Sequence, residues 1–584
     1  MKRGNPSRAL VGLALTLVIL VNPLSADPPA SFDLRDVGGQ QYVSTRIDDQ
    51  VGPGPCWSFA IITAVESNIR MRGMWEGEPN DLNLSEQFLR CNETSGEGYS
   101  HTSPGYTRVP NRAGREMMGI SHMARLHGPL YESQVPFEYY EDDADYYDAI
   151  YSSIYPDKTQ PGWDYATPFP AVYESNCQGK YFLKRSVRVS GHDAIKQKVM
   201  TVGAPYVSIY HKFEAYDPAT NTYYDDGTAS GDGLGGHAVN IIGWDDSKVV
   251  PGAPNAGAWL IKHSHEVDAQ DPDYDDHAGE APTYFWVSYD TPTNRFMDYY
   301  GEVAFFDMGT KEHIRSVHFT DYGGDNGSSL YPREADEDDA DYSQCATVYE
   351  AGPQREFIKT LSFFTREADQ PYQLRLYGSM ADLETGAPAL REVAGSADLP
   401  GYHTVELPQA LLVDANDDFV VHLDFTDGSD VAASVSSDNG KVIEILSEGS
   451  CFYFVGGEQN TWKDMLYEYI EYGGEPAEAN WQAWTVKAYG VDIFAGDASL
   501  DGTVSLADLS ALAANWGSAD ADWEMGDFNG DGEVSLADLS ALAGNWGKSL
   551  PGSSPAGGIG AIPEPASLAV IALGTAALLR RRRR

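Results

Sequence analysis

Asp48-Asp49-Gln50-Val51-Gly52-Pro53-Gly54-Pro55-Cys56-Trp57-Ser58-Phe59-Ala60 joins two kinds of chain. A loop rich in Gly and Pro stops at Cys56, and an apolar helical pattern begins, with Ile61, Val65 and Ile69 at four-residue spacing. The spacing predicts a helix that starts at Cys56. Unpaired amides and the positive end of the helix dipole at such a start favour a thiolate. Gln50, six residues upstream, can offer a side-chain amide to a developing oxyanion, and the backbone amide of Cys56 a second donor. A cysteine beside a tryptophan is, taken alone, more often just a buried residue. The rest of the chain therefore has to supply a base.

Gly235-Gly236-His237-Ala238-Val239-Asn240-Ile241-Ile242-Gly243-Trp244 reads as a strand whose alternation puts His237, Val239 and Ile241 on one face. Two further strands are expected at Ala258 to His263 and Thr283 to Tyr289. Between nucleophile and histidine, Leu82-Asn83-Leu84-Ser85-Glu86-Gln87 reads as a helix start, with Ser85 as N-cap and Leu84 able to staple to Leu89.

Together these segments resemble the papain family of cysteine peptidases, over roughly Pro29 to Asp290 and with four separated motifs in family order. Pro29-Ala30-Ser31-Phe32-Asp33 is similar to the start of a mature family enzyme. The resemblance implies that Cys56 attacks a peptide carbonyl, His237 exchanges the proton and Gln50 steadies the oxyanion. The chain departs from the family pattern at three places. Lys262-His263-Ser264-His265 stands where the family has Lys-Asn-Ser-Trp, so His263 takes the place of the orienting Asn and His265 that of the shielding Trp. Pro53 stands where many members have a disulfide cysteine. The stretch before the mature-like start is too short for an inhibitory propeptide.

The chain has 584 residues, too many for one core, and its formal net charge of -47 argues against binding nucleic acid through phosphate neutralisation. That acidity suits solubility and calcium ligation alike. Met1 to Arg8 is basic, Ala9 to Val21 apolar, and Leu24-Ser25-Ala26 ends a signal peptide for export. The five cysteines cannot all pair. With Cys56 free, Cys91–Cys177 and Cys345–Cys451 are the domain-wise pairing, though sequence does not establish it.

The expected architecture is multidomain: signal peptide 1–26, an α+β papain-like domain 27–306, a β-sandwich 307–492, a small α calcium-binding module 493–548, a linker 549–562 and a tail 563–584. The sandwich rests on strands at Phe357 to Thr365, Gln373 to Tyr377, Phe419 to Phe425 and Trp484 to Tyr489. It resembles the lectin-like domain that follows some bacterial papain-type domains. Glycan binding and simple packing on the peptidase both suit it.

The module is a repeat. Ser505 to Ala513 returns letter for letter from Ser535 to Ala543. Each copy has a loop with oxygen ligands at positions one, three, five, nine and twelve and Gly at six. These are Asp497, Ser499, Asp501, Ser505 and Asp508 in the first, and Asp527, Asn529, Asp531, Ser535 and Asp538 in the second. Thr503 and Glu533 supply position-seven carbonyls. The duplicated unit resembles a dockerin, which implies Ca2+ and a cohesin-bearing scaffold as partner. Pro563-Glu564-Pro565, the apolar run Ala566 to Leu579 and Arg580 to Arg584 resemble a PEP-CTERM sorting signal, which implies transient membrane contact, removal of the tail, and delivery to the cell surface or beyond. Two functions stay open: an active endopeptidase or exopeptidase, and a catalytically impaired papain-like binding module.

Overall fold

The computed structural model describes residues 27–550 except 47, 51–53, 92–104, 107–113, 127, 138–178, 212–214, 229–234, 265–281, 298–300, 311–313, 321–339, 354, 436–441, 444–448, 457–459, 466–481 and 492. The signal peptide, the sorting tail, Cys177 and His265 lie outside these residues, and the Cys91 side chain is likewise not described.

Helix α1 (Cys56–Met71) begins at the predicted residue. Its stripe Ile61, Val65 and Ile69 is wholly buried, with none of the three exposed to solvent. Helices α2 (Glu86–Cys91) and α3 (Glu116–Ala124) pack beside it. Ser85 caps α2 as expected, its Oγ accepting from the Phe88 amide at 2.9 Å.

A sheet faces α1. Its strands β1 (Ser31–Asp33), β2 (Tyr181–Ser190), β3 (Tyr206–His211), β4 (Gly235–Asp245), β5 (Ala258–Lys262), β6 (Tyr284–Ser288) and β7 (Glu302–Thr310) enclose a second core around Trp244, Trp259 and Ile241. In β4, Asn240 joins the layers, its Nδ2 donating to the carbonyls of Ala60 in α1 (2.8 Å) and Pro205 (2.9 Å).

The β-rich region is a two-sheet sandwich over one core that includes Leu361, Leu423 and Trp484. One sheet has six strands, from Arg391–Ala397 at one edge to Thr461–Asp464 at the other. The second is not a separate sheet. Strands β8 (Ile314–Phe319), β9 (Glu356–Thr365), β10 (Gly401–Val413) and β11 (Lys487–Val491) run on into the peptidase sheet through pairing of β10 with β2. Gly401 sits at that junction with φ +139°, and a Cβ there would lie 2.0 Å from the Ser186 carbonyl. Only glycine lets the two backbones approach so closely. The boundary expected at 306/307 falls inside β7, and one continuous sheet runs across the two regions. Two readings are corrected. The strand expected from Trp484 to Tyr489 is broken into Gln482–Trp484 and β11, although Trp484, Val486 and Ala488 do share the buried face. Cys345 and Cys451 are buried thiols not joined in a disulfide, and Cys451 Sγ donates to Thr320 Oγ1 at 3.4 Å. The register opposes Cys345 to Tyr453 and Thr347 to Cys451, so the two cysteines are diagonal neighbours and not a directly facing pair.

The repeat folds as two loop-helix units, α4 (Leu506–Ala514) and α5 (Leu536–Asn545), around Leu512, Leu542, Val504 and Val534. Both helices open with a capping box, Ser505 with Asp508 and Ser535 with Asp538.

Candidate active site

Cys56 is the first residue of α1 and only 6% exposed. Pro55 precedes it and supplies no side-chain cap to the helix start. Burial pushes the thiol up to about 11, against the pull of backbone amides of Ala238, Trp57 and Cys56 itself. The Ala238 amide belongs to β4 and is next in sequence to His237, which brings the histidine strand onto the helix start. Trp57 is packed against Gly114, where a Cβ would fall 2.5 Å from the indole.

His237 and His263 meet edge to face, with ring centroids 4.6 Å apart. His263 stands just beyond the end of β5, is 3% exposed, donates its backbone amide to Thr283 at 2.8 Å, and lies edge-on to Phe285 at 6.0 Å. His263, at the position of the family's Asn, thus stands beside His237.

Gln50 is buried and tied to the same segment twice. Its backbone amide donates to the Ser264 carbonyl at 2.9 Å, and its Oε1 accepts from Ser264 Oγ at 2.6 Å. Its oxygen end is held by Ser264, and its side-chain donors are on the amide nitrogen. Sequence reasoning missed Ser264 and Asn240. Ser264 was visible inside Lys262-His263-Ser264-His265, but only the third dimension shows that alternate residues of this segment serve different partners.

The loops of the repeat are far from this site in sequence and chemically distinct. Asp497, Asp508 and Asp538 are fully buried and Asp527 is 4% exposed. Asp497 accepts from the Gly502 amide (2.8 Å) and Ser499 Oγ (3.2 Å), and Asp508 from the amides of Ser499 (2.9 Å) and Ser505 (2.7 Å). In the second loop Asp527 accepts from Gly530 (2.8 Å) and Gly532 (2.7 Å), Asp538 from Phe528 (2.9 Å) and Ser535 (2.9 Å), and Asp531 from Glu533 (3.0 Å). Asn529 Nδ2 donates to Asp531 at 2.9 Å, and Thr503 N to Asp501 at 2.8 Å. Burial, with Asp508 and Asp501 nearby, lifts the Asp497 carboxyl to about 7. Among the described residues no three His, Cys, Asp or Glu side chains converge on one metal position. Four loop carboxylates, Asp497, Asp508, Asp527 and Asp538, are buried, Lys359 Nζ stands at the first loop 3.3 Å from the Asp501 carbonyl, and the remaining oxygen donors of the loops are those of Ser, Asn and the backbone.

A thiol at a helix start, a histidine strand beside it and a buried glutamine thus lie between a helical layer and a β layer. Residues 28–274 match the family described as Papain family cysteine protease, residues 334–485 the family described as Lectin like domain, and residues 561–584 the PEP-CTERM protein-sorting motif. The chain therefore carries a papain-like cysteine peptidase domain, followed by a lectin-like β domain. Cathepsin B-like cysteine proteinase 5 of Caenorhabditis elegans is 26% identical over 262 residues, 43% of this chain and 69% of that protein. Cathepsin B-like cysteine proteinase 4 of the same organism is 24% identical over 249 residues, 41% and 67% of the two chains. The fold of the cysteine protease and lectin-like domains of Cwp84, a surface layer associated protein of Clostridium difficile, superposes with a TM-score of 0.57 at 16% identity, over 79% of this chain and 88% of that one.

Proposed function

We propose that this chain is an exported, surface-associated cysteine peptidase that hydrolyses peptide bonds with Cys56 as nucleophile and His237 as base. The observation that supports the reading is the Ala238 amide beside the Cys56 sulfur at the start of α1, with His237 the residue before it in β4. The Cys56 thiolate attacks the carbonyl carbon, and Gln50 with the Cys56 amide receives the oxyanion. His237 returns its proton to the leaving amine. It then takes one from the water that opens the thioester. His263 orients His237 through a ring nitrogen in place of an amide oxygen. Labelling by an epoxide that captures activated cysteines tests this, with Cys56→Ala as control. Failure of intact protein to label or to cleave peptides would exclude it.

His263 also supports a second reading, a catalytically impaired papain-like module that binds without cutting, because an imidazole can lose its acceptor by protonation and an amide cannot. The same labelling experiment separates the two. The repeat is read as a dockerin that holds Ca2+ through Asp497, Ser499, Asp501, Thr503, Ser505 and Asp508, and through Asp527, Asn529, Asp531, Glu533, Ser535 and Asp538. The buried carboxylates support this, and a cohesin-bearing scaffold is the partner it would take. The lectin-like match supports glycan contact at the sandwich. The sorting motif, with the surface layer association of Cwp84, supports display at the cell surface after transient membrane contact.

A further inference from the structure

Residues 48–50 run alongside residues 262–264, and the two segments are joined at alternate positions. Gln50 meets Ser264 through both backbone and side chain. Two residues earlier, Asp48 meets Lys262, with Nζ 3.6 Å from Oδ2. Between them His263 turns to the opposite side, toward His237. One short segment thus presents its odd residue to the imidazole pair and its even residues to the segment that bears the oxyanion donor.

The Asp48–Lys262 pair is not a surface contact. The Lys262 side chain is 4% exposed and that of Asp48 18%. Asp48 is also bound by Arg46 (Nε to Oδ1 2.5 Å, Nη2 to Oδ2 3.2 Å), and Arg46 reaches Glu66 of α1 at 3.5 Å. Glu66 in turn accepts from the Leu84 amide at 2.8 Å and pairs with Arg70 at 3.5 Å. Arg46 and Asp48 belong to the loop before α1 and Glu66 and Arg70 to α1, while Glu86 of α2 and Glu132 stand near Asp48 and Glu66. Lys262 alone among them comes from β5 and ties the network to the histidine side of the site. Breaking a buried pair on one side leaves a charge without compensation, so its geometry is held firmly.

We infer that Asp48 and Lys262 are positioning residues for the oxyanion hole: their buried ion pair fixes the Gln50 segment against the strand that carries His263, and so sets the distance between the oxyanion donor and the imidazole pair. The inference rests on the proposed role of Gln50. It takes Lys262 to touch neither substrate nor the reacting atoms.

The test uses the full chain with Lys262→Met, which keeps the length and apolar stem of the side chain, and independently Asp48→Asn. Turnover of a peptide amide is expected to fall about tenfold to a hundredfold in kcat with KM little changed, less than the roughly 10²–10³ that loss of an oxyanion donor costs. Inhibition by a peptide aldehyde, whose adduct carries the same oxygen, should weaken in parallel. Alkylation of Cys56 by iodoacetamide displaces iodide and forms no oxyanion, so its plateau rate should stay within about twofold. In a Gln50→Ala background, Lys262→Met should cost little more. Lys262→Arg, which retains the charge, should restore most of the turnover. Unchanged hydrolysis, an equal loss of alkylation, or an undiminished effect in the Gln50→Ala background would each overturn the inference. If Lys262→Met fails to fold, Asp48→Asn and Lys262→Arg carry the same comparison. Should Gln50→Ala alone leave hydrolysis intact, the oxyanion assignment falls first and takes this inference with it. A damaging Gln50→Ala beside a harmless Lys262→Met refutes the inference alone.

Discussion

Burial lifts the Cys56 thiol to about 11, so at neutral pH a free-standing thiol here would stay protonated. In the proposed mechanism the thiolate is made by proton transfer to the His237 imidazole, and the raised thiol gives that transfer its importance near neutrality. Cys56→Ala should therefore abolish peptide hydrolysis and epoxide labelling while the melting temperature stays near that of the parent. Undiminished hydrolysis would place the nucleophile elsewhere. The imidazolium of His237 then depends on its neighbour 4.6 Å away. Neutral His263 offers a ring nitrogen as acceptor, whereas protonated His263 offers none and sets a second positive charge beside the first. Acidification should thus silence this enzyme sooner than an Asn-bearing relative, and His263→Asn should extend the active range to lower pH at little cost near neutrality. A pH–rate profile with an unmoved acidic limb in the mutant would show that His263 does not orient His237.

At the scale of the elements, one buried side chain bonds α1 to β4. Asn240 Nδ2 donates to a carbonyl in α1 and to another before β3, within 2.9 Å of each. Asn240→Ala leaves two buried carbonyls without that donor, and a loss of about 1–3 kcal/mol in unfolding free energy is expected by denaturant titration. Hydrolysis should fall further than stability alone explains, since the nucleophile and the base ride on the two elements. A variant of parental stability and activity would mean that the packing of α1 on β4 suffices. Asn240 also marks where the sequence stopped being legible. The start of α1, the Ser85 cap and the alternation of β4 are local patterns, set by turn chemistry and by period, and they can be read one segment at a time. Asn240, Ser264 and Lys262 act across more than a hundred residues of chain, and nothing local distinguishes a polar residue that bridges layers from one that faces water. The strand expected at Trp484 to Tyr489 failed for a related reason. Its alternation is correct for burial, but hydrogen bonding passes from one partner strand to another in mid-run. The sheet shared by peptidase and sandwich was hidden in the same way, because register between distant strands leaves no periodic signal.

Across the whole molecule, the repeat stands on the sandwich by its first loop. The Leu500 carbonyl accepts from the Ala410 amide at 2.9 Å and the Asp501 carbonyl from Lys359 Nζ at 3.3 Å. Trp523 donates to the Asp497 carbonyl at 2.8 Å and packs on Phe357 of the sandwich at 5.1 Å, and Arg391 pairs with Glu524 at 2.6 Å. The second loop keeps its hydrogen bonds within the module. Shape at the first loop and attachment to the sandwich are therefore linked, and the linkage has a sign. The Asp497 carboxyl is lifted to about 7 in the folded module, against about 3.9 for an unfolded Asp. The folded state then holds more protons than the unfolded one between these values, so calcium-free stability falls as pH rises through that window and levels off above it. A bound cation would reverse the penalty by compensating the ionised carboxylates, and it would bind more tightly as the proton leaves. In chelator, the unfolding transition of the module, followed by Trp523 fluorescence, should move to lower temperature between about pH 5 and pH 8. With excess calcium the transition should rise at pH 8 and change little at pH 5. Phe357→Ala, which removes the ring under Trp523, should blunt the calcium response of that fluorescence while leaving peptide hydrolysis unchanged. A calcium-free module that gains stability with pH, or fluorescence and proteolysis of residues 493–550 indifferent to calcium, would defeat both the ligation of the first loop and its coupling to the sandwich.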